Sequence, residues 1–335
     1  MNLLTTTMVI IGRYDMNRFG HLHTHSEFSL LDGAQKIAAM IDKAKAMGQD
    51  FIAITDHGSM MGLVKANKYA KEVGIKHIVG CELYTTPWGR DMKDRDYAKG
   101  EKSNGHLIVL AKNKVGYKNL CRLCSIAYRD GYYYKPRVDH KTLQQYKEGL
   151  IITSACMASS VNRSIADGNI DKAREEMLWF KEQFGDDYYV ELQKHFIPEE
   201  DMVMEVIKDL AAELGIKTTV GIDSHYLNKD DEQAHDALLC IGTGQKVDDE
   251  PRRFKFNGSG YWLMTQQEVE KLFPNDLDAV YRTAEIADKC DVDIIEYGDL
   301  KIPYFDVREA IEENFPDEAE AFEEFKKGEF KKWLI

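Results

Sequence analysis

The sequence predicts an α/β fold, with parallel strands and crossover helices that either close into a barrel or lie open as a doubly wound sheet. Two observations carry this. Short apolar runs alternate with amphipathic stretches about seven times between residues 18 and 230, the rhythm of βα units. A set of candidate metal ligands, of His, Asp, Glu and Cys type, sits at or just past the ends of those runs, where such sheets build their sites.

The first run is His21-Leu-His-Thr-His25, followed by Ser29-Leu-Leu-Asp-Gly33. Alternate residues of an extended chain share a face, so His21, His23 and His25 are expected to converge, with Asp32 near them once the chain turns at Gly33. Imidazoles and a carboxylate together suit Zn²⁺, Mn²⁺ or Fe²⁺.

Residues 34–47 space Ile37, Met40, Ile41 and Ala44 as a helix does, and Gly48 stops them. Phe51-Ile-Ala-Ile-Thr55 reads as a strand buried on both faces, running into Asp56-His57-Gly58. A helix over 60–73 leads to a strand at 76–80, then Cys81-Glu82. The polar stretch 87–105 reads as a long loop. His106-Leu-Ile-Val-Leu-Ala111 is the fourth strand, with its helix at 116–129. Cys121 and Cys124 sit on that helix, where buried thiols are expected rather than half a zinc knuckle.

In Gly131-Tyr-Tyr-Tyr-Lys-Pro-Arg137, cations are interleaved with rings. Lys135 and Arg137 could grip a nucleic-acid backbone while Tyr132 and its neighbours stack on bases; the alternative is a solvated loop. A strand at 150–154 ends at Cys156, helices follow over 158–165 and 170–184, and the sixth strand is 187–192. After a helix over 199–214, the strand 217–221 runs into Asp223-Ser-His225. Beyond Asp230 the pattern becomes helical and irregular, with a strand-like Tyr261-Trp-Leu-Met264 and helices near 266–273 and 277–289. The expected divisions are therefore an extension (1–17), the α/β domain (18–230), a following segment (231–305) and a helical or frayed tail (306–335).

A net charge of −13 over 335 residues argues against broad, non-specific binding to duplex DNA. It leaves a nucleic-acid substrate open, since bound cations can supply the charge that phosphates need. Six scattered cysteines fit free thiols in a reducing cytosol. The N-terminus lacks the features of a signal peptide and no run approaches a bilayer's thickness, so a cytoplasmic protein with no membrane partner is expected.

His23, His25, His57, Glu82, Cys156, Asp223 and His225 cluster at strand ends, and His106 is the exception because it opens its strand. Such a set can hold more than one metal ion. Two metals about 3.5–4 Å apart activate water and stabilise a leaving oxygen on a phosphoester, so phosphoester hydrolysis leads, with amide hydrolysis second.

The motifs named above, with Ile54-Thr-Asp-His-Gly58, Val79-Gly-Cys-Glu82 and Ser154-Ala-Cys156, resemble the polymerase-and-histidinol-phosphatase (PHP) family. Within it they are similar to the PHP domains of bacterial DNA polymerase III alpha subunits (family C), as are Gly131–Asp139 and Gly260–Glu270. The similarity runs from about Arg18 to Phe305. It implies a distorted (β/α)7 barrel with a mostly helical C-terminal extension, holding three divalent ions, Zn or Mn, with Fe a further option. It also implies nine ligands: His23, His25, Asp32, His57, Glu82, His106, Cys156, Asp223 and His225. Glu82 would bridge two metals and carry catalysis with Asp223 and His225, while His21 and Asp56 would support the ligands from behind.

The activity implied is metal-dependent 3′–5′ exonuclease or phosphoesterase action on a single-stranded DNA 3′ end. The implied partners are the remaining polymerase domains or replisome subunits. No acidic motif for nucleotide addition is evident, so no polymerase site is expected in this chain. The rival readings are a free-standing histidinol-phosphatase-type phosphomonoesterase and a non-catalytic, metal-stabilised module of the polymerase.

Overall fold

A computed structural model of the chain describes residues 17–86, 89, 104–249, 253–291, 293–295 and 298. The compact unit is Met1–Ile295, and Glu296–Ile335 divides from it. Most of the expected loop at 87–105, the extension apart from Asn17, and the tail at 306–335 lie outside the described residues.

Eight strands form the sheet: β1 (Phe51–Ile54), β2 (Lys76–Thr86), β3 (Gly105–Ala111), β4 (Tyr132–Tyr133), β5 (Lys135–Asp139), β6 (Leu150–Thr153), β7 (Tyr188–Leu192) and β8 (Lys217–Val220). The pairing runs β1–β2–β3–β6–β7–β8, with the β4–β5 hairpin attached to the far end of β2. Residues 21–25 join the two edges. Toward β1, Ala53 N donates to His21 O (2.8 Å) and Thr55 N to Thr24 O (3.0 Å). Toward the end of β8, His25 N donates to Ser224 O (2.8 Å) and Ser224 N to His23 O (3.3 Å). The result is a distorted barrel in which the histidine segment is the closing stave.

Two local expectations are corrected. The strands are not all parallel, because β3 runs antiparallel to both β2 and β6. Residues 21–25 form no regular strand and make only the isolated bridge Thr24↔Ser224, just as Trp262 makes only one bridge, to Tyr226.

Period-two alternation sorts the core. Phe51, Ala53, Ile78, Ile108, Leu110, Ile151 and Tyr189 share one buried cluster inside the barrel with Ala284 and Ala287. Their neighbours Val79, Cys81, Leu83, Leu107, Val109, Ile152, Val190 and Leu192 face outward to the helices. Each fully buried aliphatic side chain of this kind contributes about 1.5–3 kcal/mol.

The helices that cover the barrel carry their signals in sequence. Helix α1 (Ile37–Ala46) buries Ile37, Met40, Ile41 and Ala44, and with α2 (Leu63–Val73) covers Ile52 and Ile54. Helix α3 (Lys114–Asp130) starts where Asn113 accepts from Gly116 N, and a short α4 (His140–Gln145) follows β5. Helices α5 (Ser160–Ala166) and α6 (Ile170–Phe184) are capped by Ser159 and Asn169. Helix α7 (Pro198–Leu214) opens with Pro and three acids and closes on Gly215, whose φ of +63° suits only glycine cheaply. After β8 come α8 (Glu232–Thr243), α9 (Gln266–Leu272) and α10 (Leu277–Asp288), the helical part expected beyond Asp230. Cys121 and Cys124 are half-buried rather than buried, and Cys124 Sγ lies 3.8 Å from Cys81 Sγ. Among the described residues, no helix is long and apolar enough to cross a membrane.

Candidate metal centre

Each inner-face position at one end of the barrel carries a polar group. Glu82 shares a face with Ile78, His106 with Ile108, and Glu191 with Tyr189, as period-two geometry requires. The reversal of β3 explains His106. Its position opening an antiparallel strand places it opposite Tyr84, at the same end of the barrel as the other candidates. Tight backbone turns aim several of the rest. Leu31 (φ 60°), Ala155 (φ 56°) and Asp223 (φ 48°) hold left-handed conformations beside Asp32, beside Cys156 and at Asp223 itself. Such conformations cost free energy and cluster at functional sites.

Glu82 is the hub. Its Oε2 lies 2.9 Å from His57 Nδ1, 3.0 Å from His25 Nε2 and 3.5 Å from His23 Nε2. Its Oε1 lies 2.5 Å from His106 Nδ1 and 3.9 Å from Cys156 Sγ. Asp223 Oδ1 is 3.1 Å from both His23 Nε2 and His25 Nε2. Asp32 Oδ2 is 3.0 Å from His57 Nε2, and its Oδ1 is 3.8 Å from His225 Nε2. Seven of the nine predicted ligands fall in three overlapping groups with donor atoms within 4.8 Å, His23/His25/Glu82/Asp223, His57/Glu82/His106 and His25/His57/His225. The other two border them, Asp32 through His57 and His225 and Cys156 through Glu82 and His106.

This donor set fits divalent cations. His23 Nε2, His25 Nε2, His57 Nδ1, His225 Nε2, Glu82 Oε2, Asp223 Oδ1 and Asp32 Oδ1 are all buried, and none makes a hydrogen bond. Polar atoms are rarely buried unbonded, and a shared cation would satisfy them. The opposite edge of three rings is committed. His23 Nδ1 meets Glu191 Oε1 at 2.6 Å, His25 Nδ1 meets Ser29 Oγ at 3.1 Å, and His225 Nδ1 donates to the Asp223 carbonyl at 2.7 Å. With each Nδ1 carrying the proton, each Nε2 presents a lone pair to the centre.

Charge follows from this crowding. Burial opposes ionisation of Glu82, but His106 and His57 hold its carboxyl well below the usual range. Burial likewise opposes Asp223, which His23 and His225 pull down, and Asp32, which His225 and its histidine neighbours pull down. His57, despite burial, is raised to about 10 by Glu82 and Asp32. His225, buried beside His25, falls to about 3. Burial, with Glu82 and Asp223 nearby, pushes the Cys156 thiol up.

Asp56 accepts from Ser26 N, Ser26 Oγ and Ser29 Oγ at 2.6–2.8 Å, so it holds the turn whose Ser29 meets His25. His21 does not support a ligand. Its Nε2 meets the Met264 carbonyl at 2.8 Å, because the irregular 21–25 segment does not keep strand alternation. Arg137 is also corrected as a DNA contact. It is only 1% exposed, donates to the Gly131 carbonyl and lies 5.1 Å from the Tyr133 ring. Tyr132 and Tyr134 are exposed, and Lys135 Nζ sits 5.2 Å from the Tyr84 ring.

Sequence reasoning missed two groups. Glu191 accepts from Gln193 at 2.8 Å and from Thr153, and pairs with His23; a lone acid inside the apolar run 188–192 was its only signal. His235, on α8, is buried with Nε2 3.8 Å from Asp32 Oδ1, and nothing in its helical context marks it. A cavity of about 380 Å³ opens onto Asp32, His57, His106, Cys156, Asp223 and His225.

A family model described as "PHP domain" matches residues 21–195, over half of the chain. The chain belongs to the PHP family. The DNA polymerase III alpha subunit of Borreliella burgdorferi is 46% identical over 82% of this PHP chain, those of Treponema pallidum 41% over 86% and Deinococcus radiodurans 40% over 83%. The matched region is only 21–24% of the length of those relatives. Among solved structures, an amidohydrolase from Chromobacterium violaceum aligns with a TM-score of 0.40 at 16% identity, covering 62% of this chain and 87% of that one, a likeness too distant to bear on the chemistry.

Proposed function

We propose that this chain is the PHP module of a replicative DNA polymerase and hydrolyses phosphodiesters at single-stranded DNA 3′ ends, using up to three divalent ions, Zn²⁺ or Mn²⁺ with Fe²⁺ a further candidate. The observation that carries the reading is Glu82. One of its oxygens faces three histidines and the other faces His106 and Cys156, an arrangement suited to bridging two cations. His23, His25 and Asp223 would hold one position, His57, His106 and Cys156 another, and Asp32 and His225 a third.

When bound, such ions lower the pKa of water and neutralise phosphoryl charge. The chain's own part is positional. Glu191, Ser29 and the Asp223 carbonyl fix three ring tautomers, and Asp56 holds the turn beneath His25. In the net reaction the water oxygen joins phosphorus, the P–O3′ bond breaks and the shortened strand's O3′ takes a proton. As ligands, the carboxylates would orient the ions and would not attack covalently. The working context is the bacterial cytoplasm, with the other polymerase domains and replisome subunits as partners.

The test follows a 5′-labelled single strand with Zn²⁺ or Mn²⁺, beside a His23→Ala/His25→Ala variant. A ladder shortening from the 3′ end that vanishes in the variant is expected. Turnover of small phosphomonoesters without DNA shortening would point to a free-standing phosphatase instead. Metal-dependent stabilisation with no hydrolysis would leave a structural module.

A further inference from the structure

A second and larger cavity, of about 780 Å³, lies beside the metal centre, walled by the segment after β8, helix α8 and residues 253–258. Its size falls within the range of about 300–1,000 Å³ typical of small-molecule sites. The two cavities share Lys255, Phe256, Asn257 and Tyr261. Phe256 stands at the junction, with ring centroids 4.7 Å from His225, 4.8 Å from His235 and 4.9 Å from Tyr261.

His235 links the two spaces. It lines the larger cavity, is 2% exposed, and its Nε2 has no hydrogen-bond partner while lying 3.8 Å from the equally unpartnered Oδ1 of Asp32. That separation is too long for a hydrogen bond. A ligand oxygen accepting from Nε2 would satisfy His235, while Asp32 Oδ1 is left to the cations of the metal centre.

The larger cavity's chemistry is that of a nucleotide site. Lys229 and Lys255 are exposed cations on its wall, and the half-buried ring of Phe256 lines it as well as the inner cavity. Asp236 is taken up by Arg253 through contacts of 2.5 and 2.6 Å. Asp230 and Glu232, both exposed, remain as acceptors for base amino groups. Lysines for phosphate, an aromatic face for stacking and acceptors for base edges together describe a single-stranded nucleic acid.

We infer that the outer cavity is a subsite for the nucleotide adjoining the scissile phosphate, with His235 as a positioning residue donating to a phosphate oxygen at the junction. The inference rests on the proposed phosphodiesterase reading and adds where the strand lies. A small diester such as bis(p-nitrophenyl) phosphate needs only the inner cavity, whereas an oligodeoxynucleotide needs both.

The test compares kcat/KM for a single-stranded oligonucleotide with that for bis(p-nitrophenyl) phosphate, in the full chain with Zn²⁺. Lys229→Ala, and separately Gln233→Trp, which obstructs the outer cavity, are expected to lower the oligonucleotide-to-diester ratio about ten-fold. His235→Ala should lower it and His235→Gln, which keeps a donor, should restore it in part. A ratio within about two-fold of the parent's in the lysine and Gln233 variants would overturn the subsite, as would equal losses on both substrates. If neither substrate turns over, the underlying reading fails separately, and fluorescence anisotropy of a 5′-fluorescein oligonucleotide with Zn²⁺ decides the subsite. Weaker binding by those variants supports it, and unchanged binding overturns it.

Discussion

Glu82 concentrates the electrostatics of the site in one side chain, so its removal should be felt beyond catalysis. A ligand that binds only the folded state stabilises it by about 2.7 kcal/mol at a hundred-fold excess over Kd. Thermal unfolding of the parent chain should therefore shift upward on adding Zn²⁺ or Mn²⁺, and Glu82→Gln should lose most of that shift. Glu191→Gln should keep the fold while weakening metal affinity by about 10–100-fold, the usual cost of losing a carboxylate behind a ligating histidine; competition with a chromophoric chelator measures it. Retention of parent affinity in Glu191→Gln would show that the 2.6 Å contact to His23 does not orient the ring. A different residue governs acid stability. His77 is buried with neither ring nitrogen bonded, and burial lowers its pKa to about 4 from an ordinary 6.5. The unfolded chain takes up this proton near 6.5 and the folded chain only near 4. Stability from neutral His77 is thus complete above pH 6.5 and is lost as pH falls toward 4, by up to about 3 kcal/mol at 1.36 kcal/mol per unit. Urea midpoints measured across that window should flatten in His77→Leu; an unchanged slope would assign the effect elsewhere.

At the scale of elements, what was legible in sequence is what local pattern controls. The helices announced themselves through spacing and caps, as in α7 with its leading Pro and closing Gly215. Most strand positions were legible because apolar runs interrupted by Asp, His and Glu are hard to place elsewhere, but 21–25 forms no regular strand and the β4–β5 hairpin read as a stacking segment or solvated loop. Strand direction was not legible, since β3 carries the same alternation whichever way it runs, and only pairing with β2 and β6 sets its sense. That one ambiguity made His106 look like an exception. Arg137 misled for a related reason: composition showed a cation among tyrosines, but pairing of β5 with β2 turns it inward. Glu191 and His235 owe their roles to partners 168 and 203 residues away in sequence, beyond any local signal. The closing stave offers a test at this scale. A Cβ on Gly33 would sit 2.0 Å from the Ser26 carbonyl oxygen. Gly33→Ala must therefore push the 26–33 turn off the histidine segment, at about 1–3 kcal/mol. Chemical denaturation should show that loss, together with weakened metal binding because Asp32 moves with the turn. Parent-like stability would mean that the turn yields without strain.

For the molecule as a whole, charge sets the terms on which it can meet DNA. The chain carries −13, so strand and protein repel at long range, and the phosphate neutralisation that dominates nucleic-acid affinity works against that excess of acids. The metal centre reverses this locally. Each divalent ion seated among Glu82, Asp223 and Asp32 adds two positive charges where their carboxylates would otherwise repel a phosphate. Binding of a fluorescent single strand should accordingly be strong with Mn²⁺ or Zn²⁺ and collapse with EDTA, while the circular dichroism of the fold persists. Because His57 is raised to about 10 and His23 well above its ordinary value by the surrounding carboxylates, seating metal must expel protons from those rings. Apparent metal affinity, and DNA binding with it, should rise with pH from 6 to 9, and calorimetry in buffers of different ionisation enthalpy should register proton release. Equal DNA binding with and without EDTA would place the strand on the lysines alone. Proton release without DNA binding would separate the metal centre from nucleic acid altogether.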